Sequence, residues 1–126
     1  MSPDATVYVE DVMSRPLETV SASATVRQAA ERMHEHDISA LFVPGSEAGI
    51  VTTTDVVGAV ARDADLSEVR VADVMTAPVE RVTVSTEMTE AAAMMTSFGI
   101  KHLPVIDEDN DYVGMISSTD MTTELA

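Results

Sequence analysis

The residues best suited to binding chemistry form one short motif that occurs twice, at Gly49–Asp55 (GIVTTTD) and at Gly114–Asp120 (GMISSTD). Its apolar residues predict a strand, and its hydroxyl residues predict the start of a helix. The hydroxyls of Thr52 and Ser117 would then lie beside helix N-terminal amides, a place where a phosphate is favoured. The motif therefore predicts a phosphate-binding corner in each half of the chain.

Asp55 and Asp120 close the two copies of the motif, about one helical turn beyond the hydroxyl residue. Each carboxylate could accept two hydrogen bonds from a vicinal diol, as acidic residues do for ribose. The alternative is that hydroxyl and carboxylate only cap the helix. A single copy favours capping, whereas two copies in register favour a ligand-binding role.

The motif belongs to a longer internal repeat. Residues Val9–Val20 (VEDVMSRPLETV) resemble Val71–Val82 (VADVMTAPVERV), a shift of 62 residues from position 9 to position 71. The later motifs are shifted by 65 residues, from position 49 to position 114, so the second copy has gained three residues. The polar loop Asp107–Asp111 is the simplest place for them, because loops tolerate insertions. The chain is predicted to be a duplicated fold.

Each copy predicts the order strand, helix, strand, strand, helix. In the first copy the strands are predicted at 18–21, 40–43 and 49–53, with helices at 25–36 and from 54 or 55. In the second copy the strands are predicted at 80–83, 102–106 and 112–117, with helices at 87–98 and from 119 or 120.

One copy of about 60 residues would bury too little surface to be stable alone. We therefore predict an α+β fold of two β-α-β-β-α repeats packed with pseudo-two-fold symmetry. Residues 1–63 form the first repeat with its N-terminal segment, and residues 64–126 form the second, in one tandem structural unit.

The composition limits the classes of partner. The 126 residues include 22 Asp and Glu against 7 Lys and Arg, a net charge of −15, which disfavours nucleic acid and membrane surfaces as partners. An acidic chain whose single lysine is Lys101 resembles proteins from salt-loving organisms, in which salt screens self-repulsion. The chain has no Cys, no visible export signal and no apolar run long enough to span a membrane, so we expect a cytoplasmic protein.

Catalytic and metal-binding patterns are not visible. No nucleophile has a matched base, so we expect a protein that is not an enzyme and has no catalytic residues. His34 and His36 flank Glu35, but residues two apart do not share a helix face. The loop Asp107–Asp111 lacks the central Gly and terminal Glu of a calcium loop, so no metal site is predicted.

The chain closely resembles a cystathionine-β-synthase (CBS) domain pair. The resemblance covers about Val9 to Thr122 and rests on Val12–Ser14 (VMS), Val74–Thr76 (VMT), Gly99–Val105 (GIKHLPV) and the two motifs described first. It implies a regulatory module, usually a disc-like homodimer, with clefts that bind adenosine-containing ligands. The ligand would lie between the start of one copy and the end of the other.

The resemblance assigns ligand-binding residues to two clefts. The favoured cleft contains Ser14, Thr19, Val20, Lys101, His102, Pro104, Met115, Ser117 and Asp120. The second cleft, where Arg81 could restore some positive charge, contains Thr76, Arg81, Val82, Ser39, Ala40, Phe42, Ile50, Thr52 and Asp55.

The two clefts differ in charge. Lys101 and His102 stand where relatives place basic residues that meet phosphate, whereas the second cleft has Ser39 and Ala40. Charge-assisted hydrogen bonds to phosphate are stronger than neutral ones, so anionic nucleotides should favour the cleft that contains Asp120. Phe42 replaces the proline expected in the second cleft.

The expected function is regulatory sensing of AMP, ADP or ATP, with ligand occupancy signalled to a separate effector protein whose identity the sequence does not disclose. No cofactor is required in this interpretation. The alternatives are a dimerising adaptor that binds no ligand, or a sensor of S-adenosylmethionine, a metal–nucleotide complex or another adenosine-containing ligand.

Overall fold

The computed structural model describes residues 6–125, with side chains described as far as Thr122. The elements in chain order are α1 Val9–Val12, α2 Val26–His36, β1 Ala40–Val43, β2 Gly49–Thr52, α3 Thr53–Ala61, α4 Val71–Val74, β3 Val82–Thr83, α5 Met88–Phe98, β4 His102–Ile106, β5 Tyr112–Ser117 and α6 Ser118–Leu125. Between residues 6 and 125, none of the helices has both the length and the apolar character needed to cross a membrane.

Most predicted elements are confirmed, with local differences at their ends. Helix α3 begins at Thr53, one residue earlier than predicted, because Thr52 serves as its N-cap. The strand predicted at 80–83 is reduced to β3, and the one predicted at 18–21 is present only as an isolated bridge at Thr19. The short helices α1 and α4 were not predicted.

The chain divides into two compact units that do not coincide with the two repeats. The Asp55 unit is Glu18–Val79, and the Asp120 unit combines the residues up to Leu17 with those from Glu80 onward. Each unit therefore contains the first segment of the other repeat. This division differs from the two predicted repeats, which are residues 1–63 and 64–126.

In the Asp55 unit, β1 and β2 form an antiparallel pair whose register joins Phe42 to Ile50. The segment Glu18–Val20 runs parallel to β1, because Val20 N donates to Phe42 O at 2.9 Å and Phe42 N donates to Glu18 O at 3.0 Å. On the other edge, Ile50 and Thr76 exchange two backbone hydrogen bonds of 3.0 and 2.9 Å. The buried core under this sheet consists of Ala29, Met33, Leu41, Val43, Val51 and Val71.

The Asp120 unit repeats this plan. Strand β3 is parallel to β4, and β4 is antiparallel to β5. Ser14 takes the edge position beside β5, with Ser14 N donating to Met115 O at 2.8 Å and Met115 N donating to Ser14 O at 3.1 Å. The core contains Val9, Met13, Val82, Met88, Ala91, Met95, Leu103, Val105, Ile116 and Met121.

The edge segments explain why each motif starts with glycine. A Cβ placed on Gly49 would lie 2.9 Å from the carbonyl oxygen of Thr76, and one on Gly114 would lie 2.8 Å from that of Ser14. These separations are shorter than van der Waals contact, so a side chain at either position would displace the edge segment. The glycines thus allow Ser14 and Thr76 to complete the sheets.

Candidate functional site

The strand-to-helix corner of the Asp120 unit is closed by hydrogen bonds between Ser117 and Asp120. Asp120 Oδ2 accepts from Ser117 N at 2.8 Å and from Ser117 Oγ at 3.0 Å. In return, Asp120 N donates to Ser117 Oγ at 3.2 Å. This reciprocal pattern is a capping box, and it fixes the first turn of α6.

The corner of the Asp55 unit has the same geometry. Asp55 Oδ2 accepts from Thr52 N at 2.8 Å and from Thr52 Oγ1 at 3.1 Å, and Asp55 N donates to Thr52 Oγ1 at 3.3 Å. Both carboxylates are half-buried. Helix capping, the alternative weighed for the motif, is therefore present in both copies.

Capping leaves one carboxylate oxygen available in each corner. Among the described residues, no hydrogen bond is made to Oδ1 of Asp55 or of Asp120. A carboxylate has about four lone-pair sites, so Oδ1 can still accept from a ligand hydroxyl. Capping and diol recognition are thus compatible.

The expectation of unpaired amides is corrected for two backbone amides in each corner. Ser118 N donates to Lys101 O at 2.9 Å, and Thr53 N donates to Ser39 O at 3.0 Å. The amides of the two aspartates are taken by the capping hydroxyls, as described above. These four backbone donors are already paired within the fold, so side-chain donors such as that of Lys101 gain importance for a phosphate near either corner.

One sheet face of the Asp120 unit gathers several of the predicted residues. In the register of β4 and β5, His102 lies opposite Ser117, and Pro104 lies opposite Met115. Residues two apart in a strand share a face, so all four lie on one face, next to Ser14. The core residues Leu103, Val105 and Ile116 lie on the other face. On the first face, Pro104 is fully buried and the other three residues are half-buried.

The equivalent face of the Asp55 unit carries Ala40 and Phe42 on β1 and Ile50 and Thr52 on β2. The three apolar residues are buried. Thr19 and Thr76 form bridges beside this face, to Phe42 and Ile50 respectively. None of these residues is titratable, in contrast to the face that carries His102.

The remaining predicted residues are divided between the two units. Thr19 and Val20, which were grouped with Ser14, pair with β1 in the Asp55 unit. Val82, which was grouped with Thr76, pairs with Val105 in the Asp120 unit, and in the same unit Arg81 Nη1 donates to the hydroxyl of Tyr112 at 3.3 Å. The ligand-binding roles of these residues stay predictions.

His102 is the titratable group with a distinctive environment on this face. It is partly buried, and burial lowers its pKa from the usual value of 6.5. The carboxylate of Asp120 acts in the opposite direction and raises the pKa, whereas the neighbouring ammonium of Lys101 lowers it. The imidazole is therefore mainly neutral at pH 7.

Two sets of structural interactions were not predicted from the sequence. The first is the capping of α1 and α4. Asp11 Oδ2 accepts from Tyr8 N at 2.9 Å, and Asp73 Oδ2 accepts from Arg70 N at 3.2 Å, so these residues cap α1 and α4 and orient the edge segments that follow. Their recurrence in both copies of the Val-x-Asp-Val-Met pattern was the available signal.

The second missed group is an ion pair that the second repeat lacks. Arg32 Nη2 lies 2.8 Å from Glu18 Oε2, and His36 Nδ1 lies 3.8 Å from Glu18 Oε1. The corresponding residues in the second repeat are Met94 and Phe98. No sequence pattern indicated this pair, because its members are not at a helical spacing.

Carboxylate oxygens of Asp107, Asp109 and Asp111 lie within 4.8 Å of one another. Asp107 Oδ1 already accepts from the amides of Asp109 and Asp111 at 2.9 and 3.0 Å, so it organises the turn. A pocket of about 380 Å³ beside this loop contains none of the predicted ligand residues; its lining is Glu10, Met13, Arg15, Val84, Asp107, Glu108, Asp109 and Val113.

Comparisons with known proteins identify the repeats. The family profile described as "CBS domain" matches residues 9–62 and 71–126. An uncharacterized 17.7 kDa protein of Acidianus ambivalens is 33% identical over 121 residues, which cover 93% of this chain and 72% of that protein. A homoserine O-acetyltransferase of Methanocorpusculum labreanum is 37% identical over 114 residues, which cover 87% of this chain but only 22% of the enzyme.

A solved structure supports the same fold. A CBS domain pair crystallised with 5′-methylthioadenosine and S-adenosylmethionine superposes with a TM-score of 0.85 at 24% identity, covering 95% of this chain and 96% of that one. Together with the two family matches, this likeness completes the assignment: the chain belongs to the CBS domain family and carries two CBS domains in tandem.

Proposed function

We propose that this CBS domain pair is a non-catalytic sensor of adenosine nucleotides, and that AMP, ADP or ATP binds chiefly at the corner formed by Ser117 and Asp120. The observation that carries the proposal is a difference between two corners of equal geometry. Both corners are capped in the same way, but only one has Lys101 and His102 beside it.

The proposed contacts follow from the donors and acceptors at this corner. The free Oδ1 of Asp120 is suited to accept from the ribose hydroxyls. The ammonium of Lys101 and the imidazole of His102 are suited to donate to phosphate, a role that the paired backbone amides do not fill. Met115, which is half-buried on the same face, provides apolar surface for the adenine ring.

Regulation would follow from differential affinity. A ligand shifts a conformational equilibrium only by the difference in its affinity for the two states, so the sensor needs a ligand-free and a ligand-bound arrangement that a partner distinguishes. We propose a separate effector protein as that partner, a cytoplasmic location and no required cofactor. The acetyltransferase relative suggests that such a pair can also be joined to a larger enzyme.

Self-association is part of the proposal. Val57 and Val60 are 65% and 56% exposed on α3, three residues apart and therefore on one helix face. Exposed apolar patches often mark protein interfaces. We propose that this face contributes to a homodimer.

Two other functions are retained for testing. The fold shared with a pair that holds 5′-methylthioadenosine and S-adenosylmethionine makes these ligands the first alternatives to nucleotides. An adaptor that binds no ligand is the second alternative.

The decisive experiment is a ligand panel followed by two matched variants. Thermal-shift and calorimetric titrations in molar KCl would compare AMP, ADP, ATP, NAD, 5′-methylthioadenosine and S-adenosylmethionine. Asp120→Asn and Asp55→Asn both retain an acceptor for the capping bond but lose the charge. We expect Asp120→Asn to weaken AMP binding at least about tenfold, and Asp55→Asn to weaken it less. A larger loss from Asp55→Asn would reverse the ranking of the corners, and no shift with any ligand would favour the adaptor.

A further inference from the structure

The Asp120 unit contains a cavity of about 380 Å³ that the proposed nucleotide site does not use, since Ser117 and Asp120 are not among its lining residues. It is lined by residues of α1, of the segment after α1 and of the loop Asp107–Asp111. In the β4–β5 register this loop is at the end of the strands opposite to the pair His102 and Ser117. A cavity of this volume can hold a small organic molecule.

Part of the cavity lining is apolar. Met13 is buried, and Val84 and Val113, which pack against the core of this unit, are half-buried. A ligand that covers these side chains would remove apolar surface from water, which favours binding. A bare metal ion gains nothing from such surface, so the lining favours a ligand that contains a hydrocarbon part.

The charged part of the lining is mainly acidic. Glu10 on α1 and Asp107, Glu108 and Asp109 on the loop provide four carboxylates, whereas Arg15 provides the one guanidinium. Within residues 6–122, none of these carboxylates forms an ion pair. Carboxylate oxygens of Asp107 and Asp109 lie within 4.8 Å of each other. A cation in the cavity would therefore relieve a repulsion between like charges.

Arg15 does not neutralise these carboxylates. Its Nη2 donates to the backbone carbonyl oxygen of Glu10 at 3.3 Å, and its side chain is exposed. The guanidinium would repel a bound cation and attract a bound anion. The effect of removing its charge thus reports the sign of the charge on a ligand.

The lining residues are not repeated in the Asp55 unit. Glu10 and Arg15 correspond to Ala72 and Ala77 in the repeat that begins at position 71. The turn that joins β1 to β2 has Glu47 as its single acidic residue. The combination of apolar and acidic lining is therefore specific to one unit, unlike the capping motif.

We propose that this cavity binds a linear aliphatic polyamine, a chain of methylene groups that carries two or more ammonium groups. The methylene groups would cover Met13, Val84 and Val113, and the ammonium groups would meet carboxylates from both α1 and the loop. Lysine side chains on protein surfaces combine an apolar stem and a charged head in the same way. This binding is independent of the proposed function, because the two sites share no residue.

The first test is an NMR titration with spermidine and, separately, with CaCl₂, at the lowest KCl concentration at which the wild type keeps its folded circular dichroism spectrum. The methyl signals of Val84 and Val113 report the cavity, and those of the exposed Val57 on α3 are the control. We expect spermidine to shift the first two and not the third, with an affinity that falls as KCl is added. Tighter binding of Ca²⁺ than of spermidine would assign the loop to a metal ion and overturn the proposal.

Two matched double variants separate the cavity from the overall negative charge. Glu108→Gln with Asp109→Asn neutralises two carboxylates of the lining, and Glu47→Gln with Glu68→Gln neutralises two exposed carboxylates of the Asp55 unit. Both change the net charge equally. We expect the first pair to weaken spermidine binding by about threefold to tenfold and the second by less than about twofold. Equal losses would show attraction to the whole acidic chain and overturn the proposal.

Two single variants test the sign of the ligand charge and the hydrocarbon contact. Arg15→Gln should tighten spermidine binding by about twofold to fivefold, and unchanged or weaker binding would contradict a cationic ligand. Val113→Thr keeps the side-chain shape but adds a hydroxyl to the apolar lining, so spermidine should bind about twofold to fivefold more weakly. An unchanged affinity would show that the methylene chain does not contact this residue.

The outcomes are separate from those of the nucleotide panel. Failure of spermidine to shift the signals of Val84 and Val113 would overturn this inference, whether or not AMP binds. Failure of every adenosine ligand would overturn the proposed function and leave the polyamine site in place. Melting temperatures of the variants close to that of the wild type would confirm that the affinities refer to folded protein.

Discussion

Ser14 and Met115 exchange two backbone hydrogen bonds of 2.8 and 3.1 Å, although they belong to different repeats. Thr76 and Ile50 form the same pair in the other unit. Each repeat thus supplies the edge of the sheet that contains the other repeat's binding motif. A substitution near Ser14 or Thr76 is expected to act on the motif of the opposite repeat.

Substitution of Gly114 tests this arrangement. Gly114→Ala would place a Cβ 2.8 Å from the carbonyl oxygen of Ser14, a backbone atom that cannot move without breaking the pair. We expect a loss of about 1–3 kcal/mol in the free energy of unfolding, measured in urea. Gly58→Ala is the control: its Cβ meets only the flexible end of Arg62 at 3.3 Å, and alanine in a helix should stabilise by about 0.5–1 kcal/mol. Equal effects of the two substitutions would contradict the close approach.

The capping boxes predict that stability and ligand affinity respond differently to the same substitutions. Asp55→Ala and Asp120→Ala each remove the acceptor of two hydrogen bonds, so each should cost about 1 kcal/mol in the free energy of unfolding. Urea unfolding should show similar losses, whereas AMP affinity should fall mainly with Asp120→Ala. If both variants were as stable as the wild type, neither carboxylate would cap its helix.

His102 predicts a pH dependence of stability. Its pKa in the folded protein is lowered, so between that value and the unfolded value of 6.5 the unfolded chain binds more protons than the folded one. The contribution of His102 is therefore most favourable above pH 6.5 and becomes less favourable as pH falls towards the folded pKa. Urea unfolding at pH 7.5 and 5.5 should show a smaller loss in His102→Gln than in the wild type. An identical loss would argue against the buried imidazole.

The apolar face of α3 predicts a dimer that a charge disrupts. Val57→Asp places a carboxylate at a position that is 65% exposed in the single chain, so folding should be little affected. Sedimentation analysis should show a dimer for the wild type and a shift to monomer for the variant. Ala93→Asp, on an exposed position of α5, is the matched control and should leave the mass unchanged. If the wild type sediments as a monomer, the proposed homodimer is wrong.

The net charge of −15 predicts stabilisation by salt. Screening shortens the range of self-repulsion from about 10 Å at 0.1 M to about 3 Å at 1 M, so the melting temperature should rise with KCl concentration. Potassium chloride is preferred to sulfate, which strengthens apolar burial whatever the charge. A melting temperature that does not respond to KCl would remove the interpretation of salt adaptation.

The sequence alone determined the features that depend on neighbouring residues. The duplication, the amphipathic helices α2 and α5 and the capping motif ending at Asp120 were all predictable, because the capping partners are three residues apart and such bonds depend on local backbone geometry. The difference in charge between the corners was also readable, since it depends on which residues occupy equivalent positions.

Only the tertiary structure decided which segments meet. The pairing of Ser14 with Met115 depends on which sheet edge is accessible to a distant segment, and local propensity carries no information on that choice. The ion pair of Glu18 with Arg32 joins residues whose spacing is unrelated to any helix or strand period. The lowered pKa of His102 arises from burial, which is a property of the packed fold rather than of the residues beside it in the chain.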